Sequence, residues 1–336
     1  MSNKIKIFAV FTVIFLFAGC SSKSLYKPKS VVGDISYSGN LPAKIVDVTR
    51  SGATLANSQV ITRKSGLLKA KIPKNYRFLA YNQKKVISTS PTGTINIEDS
   101  NGKKLFSHNF NSMIASASID NNILAIVFAN NKIMVYDMDT NKILFKRKLD
   151  DVYALDARIA NPYFLDKLIV FPTLDGRLLI VDKVSDKVLR DIVVSSKSYF
   201  NNVIFLNVLD NRLVAATQNR VISIDPKHVD FMNVGIKDII FLGQRIFIFT
   251  KDGRIILTTS NLKEMKEKKF KFANFSAAIY GKYIYAIVKN GYLIAVDKDL
   301  ITTNVYQLPN SIEDLMFATK GSFYYDNKYF KLAKVK

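Results

Sequence analysis

The side chains that most often carry chemistry are scarce in this chain of 336 residues. There is one cysteine, Cys20, and there are two histidines, His108 and His228. A disulfide needs a pair of cysteines, and a structural zinc site needs several Cys, His or carboxylate ligands gathered in one place. The composition therefore argues against a disulfide framework and against a conventional zinc site.

The two histidines give no support to a catalytic triad. His108 follows Ser107, but neighbouring residues in a strand point to opposite faces. His228 has no Ser or Cys beside it. We expect both histidines to be ordinary surface residues and the protein not to be an enzyme.

The segment that begins at Asp137 (DMDTN) imitates the start of a calcium loop. Its sixth position is Lys142, where such a loop has Gly, and its twelfth is Lys148, where a bidentate Glu is required. An ordinary hairpin turn is the favoured interpretation. We expect no metal and no cofactor.

Aspartate recurs at one position of a repeated segment, at Asp99, Asp137, Asp182, Asp225 and Asp297. Carboxylates that act together in catalysis should converge, whereas residues at one repeat position should be spread apart. Because Asp side chains accept hydrogen bonds from nearby main-chain amides, we expect these five to stabilise turns between the third and fourth strands of each unit.

The N-terminus has the pattern of an export signal. Lys4 and Lys6 precede an apolar stretch from Ile7 to Ala18, which is too short to span a bilayer that needs about 20 residues. Residues 1–19 are therefore predicted to be a cleaved signal peptide.

The residues around Cys20 resemble the lipobox of bacterial lipoproteins. Ala18 and Gly19 precede the cysteine, although Phe17 stands where the family usually has Leu. The resemblance implies that Cys20 carries acyl chains, including palmitate, and becomes the mature N-terminus. Ser21 implies sorting to the outer membrane, with the protein facing the periplasm. Residues 20–32 are then a lipidated flexible tether. The alternative is a plain signal peptide with an incidental cysteine.

The rest of the chain consists of short alternating apolar segments, which is an all-β pattern. A small turn residue, an apolar run and usually an Asp recur in seven units. These units begin at Gly93, Asn131, Gly176, Asn219, Gly253, Gly291 and Asn327. Their mean spacing of about 39 residues matches one four-stranded antiparallel blade of a β-propeller.

A weaker eighth unit lies around Ser58, and the last unit has only three strands before the chain ends. We expect the alternating segment Asp34–Ser38 (DISYS) to supply the missing strand and close the ring, which removes an exposed sheet edge. The sequence thus predicts a propeller over residues 33–336, with eight blades favoured and seven as the alternative.

The repeat resembles the quinoprotein-type (PQQ-like) propeller repeat, most clearly at Asp99–Phe106 and Asp137–Phe145. Phe106 and Phe145 stand where that family often has Trp, and the chain has no Trp. A lipobox followed by such a ring resembles the BamB-like family of outer-membrane lipoproteins. This resemblance implies a non-enzymatic scaffold that assists the assembly of outer-membrane β-barrel proteins through protein contacts.

The chain has 49 Lys and Arg against 27 Asp and Glu, a net charge of +22. The densest run of lysines is Lys263, Lys266, Lys268, Lys269 and Lys271. We interpret it as a solvated outer strand, with attraction to anionic lipid or glycan as the alternative. An export signal argues against nucleic acid as a partner.

Two further functions stay open beside the scaffold: binding of an anionic glycan or lipopolysaccharide, and a quinoprotein-type enzyme. For the scaffold, the candidate contact is Tyr199 and Phe200, which lie in a link between two blades. The alternative is that this pair caps the interface between blades.

Overall fold

The repeated segments form eight β-sheets around one axis in the computed structural model, which describes residues 24–334. Each sheet contains a blade of four antiparallel strands, one sheet has a fifth strand in addition, and the prediction of eight blades is confirmed. The weak unit at Ser58 is a true blade, with its third strand at Gln59–Thr62 as predicted.

The blades are numbered along the chain, with strands given from the axis outward. Blade 1 has Ile45–Val48, Gly52–Leu55, Gln59–Thr62 and Gly66–Lys71; blade 2 has Arg77–Asn82, Lys85–Thr89, Thr94–Asp99 and Lys104–Asn109; blade 3 has Ile114–Asp120, Ile123–Phe128, Lys132–Asp137 and Lys142–Lys148; blade 4 has Tyr163–Leu165, Leu168–Pro172, Arg177–Asp182 and Val188–Val193.

The second half of the ring continues in the same way. Blade 5 has Phe205–Leu209, Arg212–Ala216, Arg220–Ile224 and Val229–Asn233; blade 6 has Ile236–Leu242, Arg245–Thr250, Arg254–Thr259 and Glu264–Lys269; blade 7 has Phe275–Tyr280, Ile284–Val288, Tyr292–Val296 and Thr303–Gln307; blade 8 has Met316–Thr319, Ser322–Tyr325, Lys328–Lys331 and, from the N-terminus, Gly39–Asn40.

The strands of a blade differ in burial because adjacent blades pack face to face. The second strand of blade 3, Ile123–Phe128, is buried almost throughout, whereas the outermost strand, Lys142–Lys148, is largely exposed. The lysine run lies on the outermost strand of blade 6, Glu264–Lys269, so the prediction of a solvated outer strand is confirmed. Apolar side chains therefore fill the seams between blades, and most side chains of the outermost strands are exposed to solvent.

The leading residue of the repeat lies in the turn before the third strand. In six blades it has a positive φ, at Ser58, Gly93, Asn131, Gly176, Gly253 and Gly291. Gly and Asn tolerate this conformation better than other residues. This conformation explains the Gly or Asn at this position in five of those six blades.

The ring closes through the N-terminal segment, but not with the strand predicted. The closing strand of blade 8 is Gly39–Asn40, antiparallel to Lys328–Lys331, whereas Gly33–Asp34 pairs in parallel with blade 7 as a fifth strand. The prediction that Asp34–Ser38 forms the closing strand is therefore wrong in position. Its alternation has another cause: Ile35 and Tyr37 pack into the seam between blades 7 and 8.

The described part of the predicted tether contacts the ring at Tyr26. This side chain is only 6% exposed and packs edge-on against Phe270 and Tyr292. The Asn290 side-chain amide donates to the main-chain oxygen of Tyr26 at 2.7 Å. Tyr26 thus anchors this segment to the ring.

The two faces of the ring carry different connections. Links between blades and turns between second and third strands lie on one face, which we call the linker face. The remaining turns, between first and second strands and between third and fourth strands, lie on the opposite face, which we call the turn face.

Within residues 24–334, no helix is long and apolar enough to cross a membrane.

Candidate functional site

Tyr199 and Phe200 lie on the linker face, in the link between blades 4 and 5. Their side chains are 61% and 47% exposed, so they do not cap the interface between blades. The main-chain amide of Phe200 donates to the oxygen of Ala154 at 3.0 Å, which brings the preceding link alongside. That link presents Tyr153, which is 86% exposed. We call Tyr153, Tyr199 and Phe200 the aromatic patch.

Buried asparagines fix the two links to each other and to the ring. The side-chain oxygen of Asn202 accepts from the amide of Asp156 at 2.7 Å, and its amide donates to the oxygen of Arg158 at 2.9 Å. The Asn201 amide donates to the oxygens of Asp175 and Ser195, both at 2.8 Å. The patch is therefore carried on a pre-organised surface.

Phe200 adopts a conformation that is unfavourable for a bulky residue. Its φ is +52°, in the left-handed region, which costs roughly 1–2 kcal/mol. The hydrogen bond to Ala154 and the asparagines that follow hold it there. Strain of this kind persists only where the surrounding contacts over-determine the backbone.

An ion pair stiffens the link that carries Tyr153. Arg158 Nη2 lies 2.5 Å from Asp156 Oδ2, and Arg158 Nη1 donates to the oxygen of Lys237 in blade 6 at 2.6 Å. Burial tends to raise the pKa of Asp156, but the hydrogen bonds and charge of Arg158 outweigh it and hold this pKa below its usual value. Asp156 thus stays ionised and keeps Arg158 in place.

Tyr153 was not singled out in the sequence, although one signal pointed to its link. The units at Asn131 and Gly176 are 45 residues apart, the largest spacing in the repeat. The excess lies in the link between Lys148 and Tyr163, which has no strand of its own. Long links without secondary structure in a compact domain are often functional.

The other candidate residues have structural environments. The five repeated aspartates accept hydrogen bonds from main-chain amides of their own turns, as predicted. Asp137, at the calcium-like segment, accepts from the amide of Asp139 at 2.9 Å and forms the expected hairpin turn. Among residues 24–334 no three His, Cys, Asp or Glu side chains are placed to hold a metal ion.

The histidines differ from each other. His228 is exposed, as predicted. His108 is half-buried in an aromatic cluster, 4.6 Å from the ring of Phe110 and 5.1 Å from that of Tyr136, so its prediction as a surface residue is wrong. The physical reason is that its outermost strand turns alternate residues toward the seam with blade 3. Ser107 faces the other way.

The predicted lipidation site, Cys20, lies outside the described residues, as does the signal peptide. Both stay predictions at this point.

Comparison with known proteins finds a relative in sequence. The chain is 29% identical over 374 aligned positions to the plasminogen-binding protein PgbB of Helicobacter pylori strain J99, covering 94% of this chain and 69% of that protein. PgbB of a second Helicobacter pylori strain matches equally well. No family model matches the chain.

Solved structures show the same fold at low sequence identity. BamB from Moraxella catarrhalis superposes with a TM-score of 0.66 at 13% identity, covering 88% of this chain and 98% of that structure. The C-terminal WD40 domain of Sif2 has a TM-score of 0.66 at 11% identity, covering 90% and 99%. The expected likeness to BamB is therefore confirmed for the propeller fold.

Proposed function

We propose that this chain is a lipid-anchored, non-enzymatic scaffold of the bacterial envelope, which binds a protein partner through the aromatic patch. The observation that carries the proposal is three exposed aromatic side chains on two links that buried asparagines hold in place. Large aromatic side chains are enriched at binding hot spots, and a rigid surface loses little entropy when it binds.

The position of Tyr26 supports a membrane-facing role for this surface. Tyr26 docks against Phe270 and Asn290, which both lie on the linker face. It follows Cys20 by six residues, which span at most about 20 Å when extended. A lipid on Cys20 would therefore keep the linker face, with the aromatic patch, close to the membrane. Under the lipoprotein proposal this is the periplasmic side of the outer membrane.

Two partners are proposed for the patch. A component of the outer-membrane β-barrel assembly machinery fits a patch held near the membrane, and the fold is the one that BamB has. Plasminogen is the second candidate, because a plasminogen-binding protein aligns with 94% of this chain. Both make the propeller a protein-binding scaffold.

The test replaces Tyr153, Tyr199 and Phe200 together by Ala. Capture of assembly proteins is measured by crosslinking in intact cells, and capture of purified plasminogen by surface binding. For the true partner, capture should fall about thirtyfold. This corresponds to roughly 2 kcal/mol for one hot spot. The melting temperature should hardly change, because all three side chains are exposed.

The matched control replaces Leu105 and Ile143 by Ala, which are exposed to a similar extent but lie on outer strands of blades 2 and 3. It should capture the partner as the wild type does.

The Cys20→Ala variant should no longer be found in the membrane fraction. It should fail to capture a membrane-embedded partner but still capture a soluble one. Undiminished capture of both partners by the triple variant would refute the proposal that the aromatic patch binds the partner. Salt-sensitive capture of envelope glycan alone would favour the glycan-binding alternative.

A further inference from the structure

The central channel of the ring is a funnel that opens on the turn face. It has a volume of about 570 Å³ and is lined by the ends of first strands, including Tyr81, Phe241 and Tyr280. The link before blade 4 crosses the axis and forms its floor. There the Asn161 amide donates to Ser51 Oγ of blade 1 at 2.7 Å and to the oxygen of Leu79 of blade 2 at 3.3 Å.

The lining of the funnel is strongly basic. It contains Arg50, Arg63, Lys64 and Lys320, and no Asp or Glu among its described residues. Just behind the wall, Asp238 Oδ1 lies 2.8 Å from Arg50 Nη1 and neutralises that one guanidinium. The channel therefore keeps three basic side chains that no carboxylate of residues 24–334 pairs with.

Arg63 is the cation most in need of a partner. Its guanidinium lies over the ring of Phe317, 5.4 Å from the centroid, and makes one long hydrogen bond, 3.5 Å, to the main-chain oxygen of Arg50. Burial and the charge of Arg50 together lower the pKa of Arg63 to about 10, although the charge of Asp238 acts in the opposite direction. Asp238 is paired with Arg50 and makes no ion pair with Arg63, so a bound anion would supply the close counter-ion that this partly buried guanidinium lacks.

We propose that the funnel binds a small molecule that carries a carboxylate or phosphate group, with its oxyanion paired to Arg63. Lys64 and Lys320 at the mouth draw the anion in, since a narrow cleft lined by one sign of charge concentrates the opposite ion. The guanidinium presents a fork of donors that matches both oxyanions. The volume is that of an ordinary small-molecule site.

This site is separate from the aromatic patch. The patch lies on the linker face, whereas the funnel opens on the turn face, and the floor formed at Asn161 stands between them. The funnel can therefore be occupied while a protein partner is bound.

The test is isothermal titration of the full-length protein with three probes at constant ionic strength: inorganic phosphate, phenyl phosphate and citrate. At least one should bind measurably above a sodium chloride blank. Arg63→Gln should weaken that binding at least tenfold, as expected for the loss of a charge-assisted hydrogen bond. Binding of the two phosphates alone identifies a phosphate ligand, and binding of citrate alone identifies a carboxylate ligand.

Two further variants keep the test decisive. Lys64→Gln with Lys320→Gln changes only exposed residues at the mouth, so it should fold even where Arg63→Gln does not, and it should also weaken binding. Lys266→Gln, on the outer strand of blade 6, is the control for non-specific attraction and should bind as the wild type does. The proposal is overturned if no probe binds above the blank, or if the funnel variants and the control bind equally.

Discussion

The repeated aspartates act within their own turns, each as a local organiser of the backbone. Asp297 is the clearest case, since its carboxylate accepts from the amides of Asp299, Ile301 and Thr302. Burial tends to raise its pKa, but these hydrogen bonds outweigh burial and lower the pKa to about 2. A carboxylate held in this way has little capacity left for a substrate or a metal.

At this scale we predict that Asp297→Ala lowers the free energy of unfolding by about 2 kcal/mol at neutral pH, because hydrogen bonds to a charged group are lost. The folded pKa of about 2 lies below the usual value of 3.8, so the stabilisation is present above about pH 4 and is lost as the pH falls toward 2. Urea unfolding of both proteins at pH 7, 4 and 2 should show this difference shrinking. Asp314→Ala, at an exposed position, is the control and should have almost no effect. A difference that is constant with pH would contradict the assignment.

The turns of the blades differ in how closely other residues pack against them. Gly176 has a φ of +88°, and a methyl group added there would lie 2.3 Å from Asn201 Nδ2 and 2.7 Å from the oxygen of Ser195. This turn in blade 4 therefore supports the asparagine that holds the aromatic patch. Gly102 has the same φ of +88°, but nothing lies within 4 Å of its added methyl group.

At the scale of the element we predict that Gly176→Ala destabilises the protein by roughly 3 kcal/mol, whereas Gly102→Ala costs only about 1 kcal/mol. Both substitutions place a methyl group on a left-handed backbone, which is unfavourable. Only at Gly176 does that methyl group also collide with neighbouring atoms. The measurement is the free energy of unfolding of the two variants. Equal losses would show that the turn and Asn201 adjust freely to the added methyl group.

The whole molecule is a closed ring in which the N-terminus completes the last blade. Gly39–Asn40 pairs with blade 8, and Gly33–Asp34 pairs with blade 7, so one short segment joins the two blades where the chain ends. Ile35 and Tyr37 fill the seam between them, whereas Asp34 and Ser36 face outward. The ring thus presents an aromatic patch on the linker face and a basic funnel on the turn face.

At this scale we predict that deletion of residues 31–40 destabilises the entire ring, because blade 8 loses a strand and an edge becomes exposed. Ile35→Ala with Tyr37→Ala should lower the free energy of unfolding by about 3 kcal/mol through lost apolar burial. Asp34→Ala with Ser36→Ala is the matched control and should lower it by less than about 0.5 kcal/mol. Thermal unfolding that the deletion leaves unchanged would mean that the ring closes without this segment.

The sequence by itself determined the all-β class and the role of the repeated aspartates, and it favoured eight units over seven. These features depend on residues close together in the chain. Each is repeated in several blades, so the pattern can be recognised although the sequences of individual blades differ. The tertiary structure decided which N-terminal residues form the closing strand, because alternation in Asp34–Ser38 has the same appearance in a strand and in a seam-crossing segment.

Only the tertiary structure brought together the residues of the two proposed sites. Phe200 meets Ala154 because two links fold onto one face, and Arg50 meets Asp238 across the axis although 188 residues separate them in the chain. Each of these contacts joins different parts of the ring and occurs once, so it is not repeated from blade to blade. No periodic signal in the sequence could show them, because they depend on how the ring closes around its axis.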